Sequence, residues 1–304
     1  MSGVNSYEID MHTHTINSDG RNTPYEVIDI AAKSGIKILT FTDHSGITHS
    51  NDIVGYAKEN GISIPFMGLE VSTIFEGNKY HVLGYGKNLR IDDLEDYLLY
   101  PTEVKNKRFI KIIEALRDIG IVLPSNEDIR KGIRPDGTFA HPDKWMLTRT
   151  LIATYVAQNL NISINEAKGI FSDSDDPKNR RIFIEESLPV HERYLPTTDV
   201  ISYLAKKGAG VILAHPWWEC GRGNTTERVK SDIFTFAELG LHGLECESYH
   251  LTQEMNNEIK DIFRQLPHFH RIGGSDFHGD RRSSFGQRGV TWEDYHAFSK
   301  VISI

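Results

Sequence analysis

The chain has 304 residues, 34 Lys+Arg against 42 Asp+Glu for a formal net charge of −8, and 39% hydrophobic residues. That apolar content excludes an intrinsically disordered chain, and the length suits one large α/β domain or a domain carrying an insertion. The acidic balance argues against bulk nucleic-acid binding, and two cysteines, Cys220 and Cys246, cannot build a disulfide scaffold.

The first 90 residues read as alternating short strands and helices. Tyr7 to Met11 is a strand. Thr23 opens a helix with Pro24 at its first position and Val27, Ile28, Ile30 and Ala31 along its apolar side, and Gly35 stops it. A strand over Ile38 to Thr42, a helix from Asp52 to Asn60 and strands over Ile62 to Gly68 and Tyr80 to Tyr85 follow.

The middle of the chain changes character. Ile110, Ile113, Leu116 and Ile119 have helical spacing that ends at Gly120, and Leu147, Leu151, Ile152, Tyr155 and Val156 repeat the pattern. The alternation then returns: a helix over Thr198 to Lys207, a strand over Gly210 to Ala214, a helix over Thr226 to Leu239, a strand over Gly243 to Cys246, a helix over Thr252 to Phe263 and a strand over Arg271 to Gly274. Repeated βα units imply a mostly parallel sheet, open or closed as a barrel. The expected organisation is residues 1–102 and 186–304 as two parts of one α/β domain, with 103–185 inserted as a helical subdomain. No apolar run approaches a membrane span and no secretory leader is visible, so a cytoplasmic location is expected, with no membrane and no obligate protein partner.

The chemically unusual residues gather where the expected strands end. Asp10-Met11-His12-Thr13-His14 follows the first, with Asp19 close behind; Thr42-Asp43-His44 follows the second; Gly68-Leu69-Glu70 follows the third; His81 lies at the next; His215-Pro216 follows Val211-Ile212-Leu213-Ala214; and Ser275-Asp276-Phe277-His278 closes the series. Parallel α/β architectures assemble their sites at the C-terminal ends of strands, where the following loops converge. One His-x-His pair is common on a solvated strand, but six histidines and three carboxylates each placed just past an apolar run are not a chance scatter. Imidazole with carboxylate suits Mn, Zn or Fe, and nine donors exceed the needs of one ion, so two or three divalent ions are expected, with Glu70 bridging. Asp43 is expected to accept an imidazole N–H rather than to bind an ion. His141, followed by Pro142 in the middle region, is a candidate substrate contact, and Trp217, Trp218 and Arg222 are candidates for a substrate wall.

Jointly these pieces resemble the PHP (polymerase and histidinol phosphatase) family of metal-dependent phosphoesterases, in the family's order: Asp10 to His14 with Ser18-Asp19-Gly20, Thr42-Asp43-His44, Gly68-Leu69-Glu70, His81-Val82-Leu83-Gly84-Tyr85, Ala214-His215-Pro216 and Gly274 to His278. The resemblance implies a distorted (β/α)7 TIM-like barrel with a trinuclear metal centre. It implies one ion held by His12, His14, Glu70 and Asp276, a second by Glu70, His81 and His215, and a third by Asp19, His44 and His278. It further implies a hydrolase in which a metal-activated hydroxide, held by Glu70, His215 and Asp276, attacks phosphorus.

Ser18-Asp19-Gly20 and His81-Val82-Leu83-Gly84-Tyr85 look closest to the branch containing nucleoside 3′,5′-bisphosphate phosphatases and 5′–3′ oligoribonucleotide exonucleases. That branch carries an inserted helical subdomain. It makes Arg108, followed by Ile112, Leu116, Gly120 and Ile121 at the branch's steps, a candidate phosphate contact. Its Gly-Arg-Pro-His-Ile-Ala stretch aligns with Thr148-Arg149-Thr150-Leu151-Ile152-Ala153, which keeps the arginine as a substrate contact and replaces the histidine by Leu151. The expected substrate is therefore a small nucleotide or sugar phosphate, with a short oligonucleotide as an extension. Histidinol phosphate and a cyclic ribose phosphate are alternatives of the same chemistry, and a non-catalytic metal-binding regulatory module is the alternative of another class.

Overall fold

The structure is a computed structural model that describes residues 7–87, 89, 109–125, 149–170, 194–217, 225–247, 251–279 and 284–302. Strand β1 (Ile9–Thr13) and strand β2 (Ile38–Phe41) run parallel and are joined by helix α1 (Pro24–Lys33). Every residue of both strands is buried, as expected for strands covered on both faces. Helix α1 starts on a capping box: the Thr23 hydroxyl accepts from the Glu26 amide, and the Glu26 carboxylate accepts from the Thr23 amide. Helix α2 (Asn51–Glu59) lies beside it, capped by Ser50.

Strands β3 (Met67–Phe75) and β4 (Asn78–Gly86) form an antiparallel hairpin. Its turn residues Glu76 and Gly77 both have positive φ, 46° and 85°, which matches the right-handed twist of the paired strands. The two-residue strand β5 (Leu195–Pro196) pairs parallel with β3. Strand β6 (Gly210–Ala214) pairs antiparallel with β4, and β7 (Gly243–Glu247) and β8 (His270–Gly273) continue in parallel, giving the order β5-β3-β4-β6-β7-β8. Single bridges connect this sheet to the β1–β2 pair at two places, Thr13 with Phe277 and His44 with Glu70.

Helices α3 (Arg149–Leu160) and α4 (Ile164–Ile170) belong to the middle region, and α5 (Thr197–Lys206), α6 (Thr226–Glu238), α7 (Gln253–Gln265) and α8 (Trp292–Ser299) to the C-terminal part. The largest core joins the sheet to α5, α6 and α7 through residues such as Leu69, Val82, Leu204, Phe236 and Ile262. Residues 109–118 are helical and share a separate apolar cluster with α3 and α4, built from Ile112, Ile113, Leu116, Ile152, Val156 and Ala167. Among the described residues no helix is long and apolar enough to cross a membrane.

The mixed α/β architecture and its mostly parallel pairing agree with the sequence reading, with three differences. The expected strand over Ile62 to Gly68 begins instead at Met67. Pro65 has no N–H for a ladder, and Ile62 and Ile64 pack into the core beside α1 and α2. The expected helical row of Ile110, Ile113, Leu116 and Ile119 is rotated: Ile112 joins Ile113 and Leu116 in the interior, and Ile119, beyond the helical residues, is 57% exposed. Trp217 is 3% exposed within the main core rather than on an open wall, whereas Trp218 lies outside the described residues.

Candidate metal centre

Close backbone packing comes first. A Cβ on Gly274 would lie 2.4 Å from both the amide nitrogen and the Cβ of His12, so only glycine lets the end of β8 rest against β1. The contact is closed by amide bonds, from Asp276 N–H to the His12 carbonyl (2.9 Å) and from His14 N–H to the Phe277 carbonyl (2.8 Å). Gly68 acts similarly between β2 and β3, where a Cβ would stand 2.5 Å from the Phe41 carbonyl oxygen. Three chain segments that carry the unusual residues are thereby pressed together.

Glu70 is the hub. It is 1% exposed and has five imidazoles around it. One oxygen lies 2.9 Å from His81 Nδ1, 3.3 Å from His215 Nε2 and 3.5 Å from His12 Nε2; the other lies 3.2 Å from His14 Nε2 and 3.3 Å from His44 Nδ1. Asp276 Oδ1 sits 3.3 Å from His14 Nε2 and 3.4 Å from His12 Nε2. Asp19 faces His278 Nε2 at 3.2 Å, His14 Nδ1 at 3.6 Å and His44 Nε2 at 3.8 Å. All nine residues singled out in the sequence thus stand in one place. Three donor sets have their ligand atoms within 4.8 Å of one another: His14, Asp19, His44 and His278; His12, Glu70 and His215; and His12, His14 and Asp276.

The hydrogen bonds behind the rings decide which nitrogen carries a proton. His12 Nδ1 lies 3.1 Å from Glu245, and a carboxylate only accepts, so the proton is on Nδ1 and the Nε2 lone pair points inward. His278 Nδ1 donates to the Asp276 carbonyl at 2.8 Å, which turns its Nε2 lone pair toward Asp19. The Ser18 hydroxyl donates to Asp43 at 2.5 Å and therefore accepts from His14 Nδ1 at 3.4 Å. His12 Nε2 and His14 Nε2 then face each other 3.1 Å apart. Lone pairs directed at one another and at carboxylates repel unless protons or metal ions lie among them. Asp19 Oδ1, His44 Nδ1 and His81 Nδ1 are buried and make no hydrogen bond. This donor set fits divalent metal ions, and imidazole–carboxylate chemistry suits Mn, Zn or Fe.

The electrostatics of the protein alone express the same demand. For Glu70, burial would raise the pKa, but the imidazoles of His81, His44 and His12 outweigh it and hold the carboxylate well below its usual range. For His14, burial opposes the charge, yet hydrogen bonds to Asp276 and Glu70 and the charges of Glu70 and Asp19 push it up to about 10. Burial dominates at His44 and pushes it down to about 3, leaving a neutral imidazole. Two of the nine residues also hold left-handed backbone, His215 at φ 25° and Asp276 at φ 51°, a conformation uncommon for residues other than glycine.

Two supporting acids escaped the sequence reading. Glu245 in β7 is 2% exposed and accepts both His12 Nδ1–H and the His215 amide at 2.9 Å. Asp10 in β1 accepts the amides of Ser275 and His12, and burial pushes it up to about 7. Asp43 departs from expectation: it accepts from the Thr15 amide and from the Thr15, Ser18 and Thr48 hydroxyls, and so reaches His14 only through Ser18. Arg108, His141 and Arg222 lie outside the described residues, and Arg149 is the first residue of α3.

A mixed α/β fold that gathers six histidines and two further carboxylates about one buried glutamate defines a metal-dependent phosphoesterase. The PHP domain model matches residues 10–121. A phosphoribosyl 1,2-cyclic phosphate 1,2-diphosphodiesterase of Eggerthella lenta is 37% identical over 278 residues, spanning 89% of this chain and 94% of that protein. A 3′,5′-nucleoside bisphosphate phosphatase of Chromobacterium violaceum is 28% identical over 284 residues, spanning 89% and 87%. Among solved structures, one described as a metal-dependent phosphoesterase from Bifidobacterium adolescentis superposes with a TM-score of 0.74 at 19% identity, covering 96% of this chain and 95% of that one. The chain belongs to the PHP family.

Proposed function

We propose that the protein hydrolyses a phosphate ester on a small nucleotide or sugar phosphate, using two or three divalent ions held by His12, His14, Asp19, His44, Glu70, His81, His215, Asp276 and His278. The observation that carries this reading is the convergence of five imidazoles on Glu70, with lone pairs turned inward by the hydrogen bonds behind them. Divalent ions held by these residues would lower the pKa of a water and neutralise charge on the phosphoryl oxygens. Glu70, His215 and Asp276 orient the attacking water. Attack at phosphorus breaks the ester P–O bond and frees the alcohol. Glu245 and Ser18 keep His12 and His14 in the tautomers that present Nε2 to the centre.

In the same reading the two bridged sheets are parts of one distorted (β/α)7 barrel. Residues 103–185 form an inserted cap that presents Arg108, His141 and Arg149 to substrate, with Arg222 contributing from the second barrel part. The separate apolar cluster of the middle helices supports treating that region as its own subdomain. The scarcity of cysteine supports a cytoplasmic setting.

A second reading narrows the substrate to a cyclic ribose phosphate. The 37% identity to the Eggerthella lenta diphosphodiesterase favours it, as does Leu151 standing where the bisphosphatase branch has histidine. The deciding experiment loads the protein with Mn, Zn or Fe in turn and screens nucleoside mono- and bisphosphates, ribose cyclic phosphates, short oligonucleotides and histidinol phosphate for released phosphate or opened ring. Turnover of a nucleotide or ribose phosphate is expected. Stoichiometric metal with no turnover of any of them overturns the enzymatic reading and leaves a regulatory metal-binding module.

A further inference from the structure

A small cleft opens beside the metal centre, lined by Lys79, Tyr80, His81, Ala214, His215 and Pro216. Its walls are the start of β4 and the end of β6, which pair antiparallel with His81 opposite Ala214. Alternation along β4 sorts its side chains. Tyr80 points away into the core, where its hydroxyl donates to Asp232 at 2.6 Å. Lys79 and His81, two residues apart, share the other face, so the Lys79 Cα lies about 7 Å along the strand from that of His81.

Lys79 is the only ammonium in this lining and has no carboxylate partner among the described residues. Its Nζ stands 5.1 Å from the centre of the Tyr194 ring, which gives it a fixed seat without neutralising it. The nearby acid at the hairpin turn, Glu76, is engaged by Arg228, which also holds Asp232. The network on the back of the hairpin therefore keeps its carboxylates off Lys79 and leaves an unpaired cation facing the cleft.

We propose that Lys79 binds a second anionic group of the substrate, one sugar unit away from the phosphate that reacts at the metal centre. This deepens the phosphoesterase reading and rests on it. The chemical class that fits is a ribose carrying two phosphate groups, one to be hydrolysed and one to be recognised. Both relatives described above are named for substrates of that kind, a nucleoside 3′,5′-bisphosphate and a phosphoribosyl 1,2-cyclic phosphate. Lys79 contributes binding energy that is the same before and during reaction, so it governs affinity and selectivity rather than the chemical step.

The test measures inhibition of 4-nitrophenyl phosphate hydrolysis by the metal-loaded protein, which works whether or not the inhibitor is itself turned over. The readout is the ratio of inhibition constants for adenosine 5′-monophosphate and adenosine 3′,5′-bisphosphate. Wild type is expected to favour the bisphosphate, and Lys79→Met to reduce that preference about 10- to 100-fold at unchanged metal stoichiometry. Lys79→Arg, which keeps the charge, is expected to restore most of it. A ratio that Lys79→Met leaves unmoved overturns the subsite alone. Failure of the metal-loaded wild type to hydrolyse any phosphate ester overturns the phosphoesterase reading and the subsite with it.

Discussion

The Nδ1 atom of His12 lies 3.1 Å from one oxygen of Glu245, and the other oxygen of that carboxylate accepts the main-chain N–H of His215 at 2.9 Å. One buried acid thus fixes the ring of a histidine on β1 and the backbone of a histidine after β6. Partners of this kind behind metal ligands contribute about 10- to 100-fold to metal affinity or activity. Glu245→Ala is expected to lose metal affinity over that range. Glu245→Gln is expected to lose less, because its amide oxygen still accepts from His12 Nδ1–H. Metal titration followed by elemental analysis of the dialysed protein checks both. Wild-type metal retention by Glu245→Ala would refute the assignment.

His14 and Asp276 touch two different parts of the centre. His14 reaches Glu70 and Asp19 as well as Asp276, and Asp276 reaches His12 and His14. Loss of either removes a donor rather than a support, so activity is expected to fall by more than about 100-fold in His14→Ala and Asp276→Ala. The fold is expected to persist, because the surrounding strands are held by ladder bonds and apolar cores that neither side chain joins. Far-UV circular dichroism beside phosphate release separates the two effects. Full turnover by either variant at saturating metal contradicts the site.

Much of this centre was legible because each ligand follows or closes an apolar run. Glu70 is expected just past a strand, and it lies inside β3, which runs on to Phe75 before turning back as β4. The difference leaves the residue in the site because the antiparallel partner brings His81 to the same face through Ser72, whose register mate it is. Glu245 gave no such signal: it sits within β7, Gly-Leu-Glu-Cys-Glu, instead of closing an apolar run, and His12, its partner, is 233 positions away. Asp43 has other neighbours than its place in the sequence suggests. Sequence adjacency to His44 suggested an imidazole, whereas the loop geometry delivers hydroxyls of Thr15, Ser18 and Thr48.

Protons and metal ions compete for the same inward lone pairs. In metal-free protein the carboxylates around His14 push its pKa from 6.5 up to about 10, against the opposing effect of burial. A histidine raised in the folded state contributes stability that is complete below its unfolded value and is lost as pH rises through the folded one. Asp10, pushed up to about 7 by burial, has the same sign, its contribution falling away as pH passes that value. Metal-free protein is therefore expected to become less stable between pH 6.5 and 10, whereas metal-loaded protein holds or gains stability as the ligands shed protons. Melting temperatures with and without chelator across that range check the crossing slopes. Parallel slopes would contradict a proton–metal exchange at these residues.

Two glycines give contrasting roles to the same substitution. At Gly35 φ is 85° and nothing lies within 4 Å of an added Cβ, so Gly35→Ala meets only backbone strain of about 1–2 kcal/mol. At Gly274 the added atom would meet the His12 amide and Cβ at 2.4 Å, and the strands must part. Overpacking of this kind costs about 1–3 kcal/mol. The displacement falls on His12, whose Nε2 belongs to two of the three donor sets, and on Asp276 two residues along. Gly274→Ala is therefore expected to lose metal affinity as well as stability, and Gly35→Ala to lose stability alone. Metal titration of the two variants, at a temperature where both are folded, distinguishes them. Equal metal affinities would show that the closeness of β1 and β8 does not set the geometry of the centre.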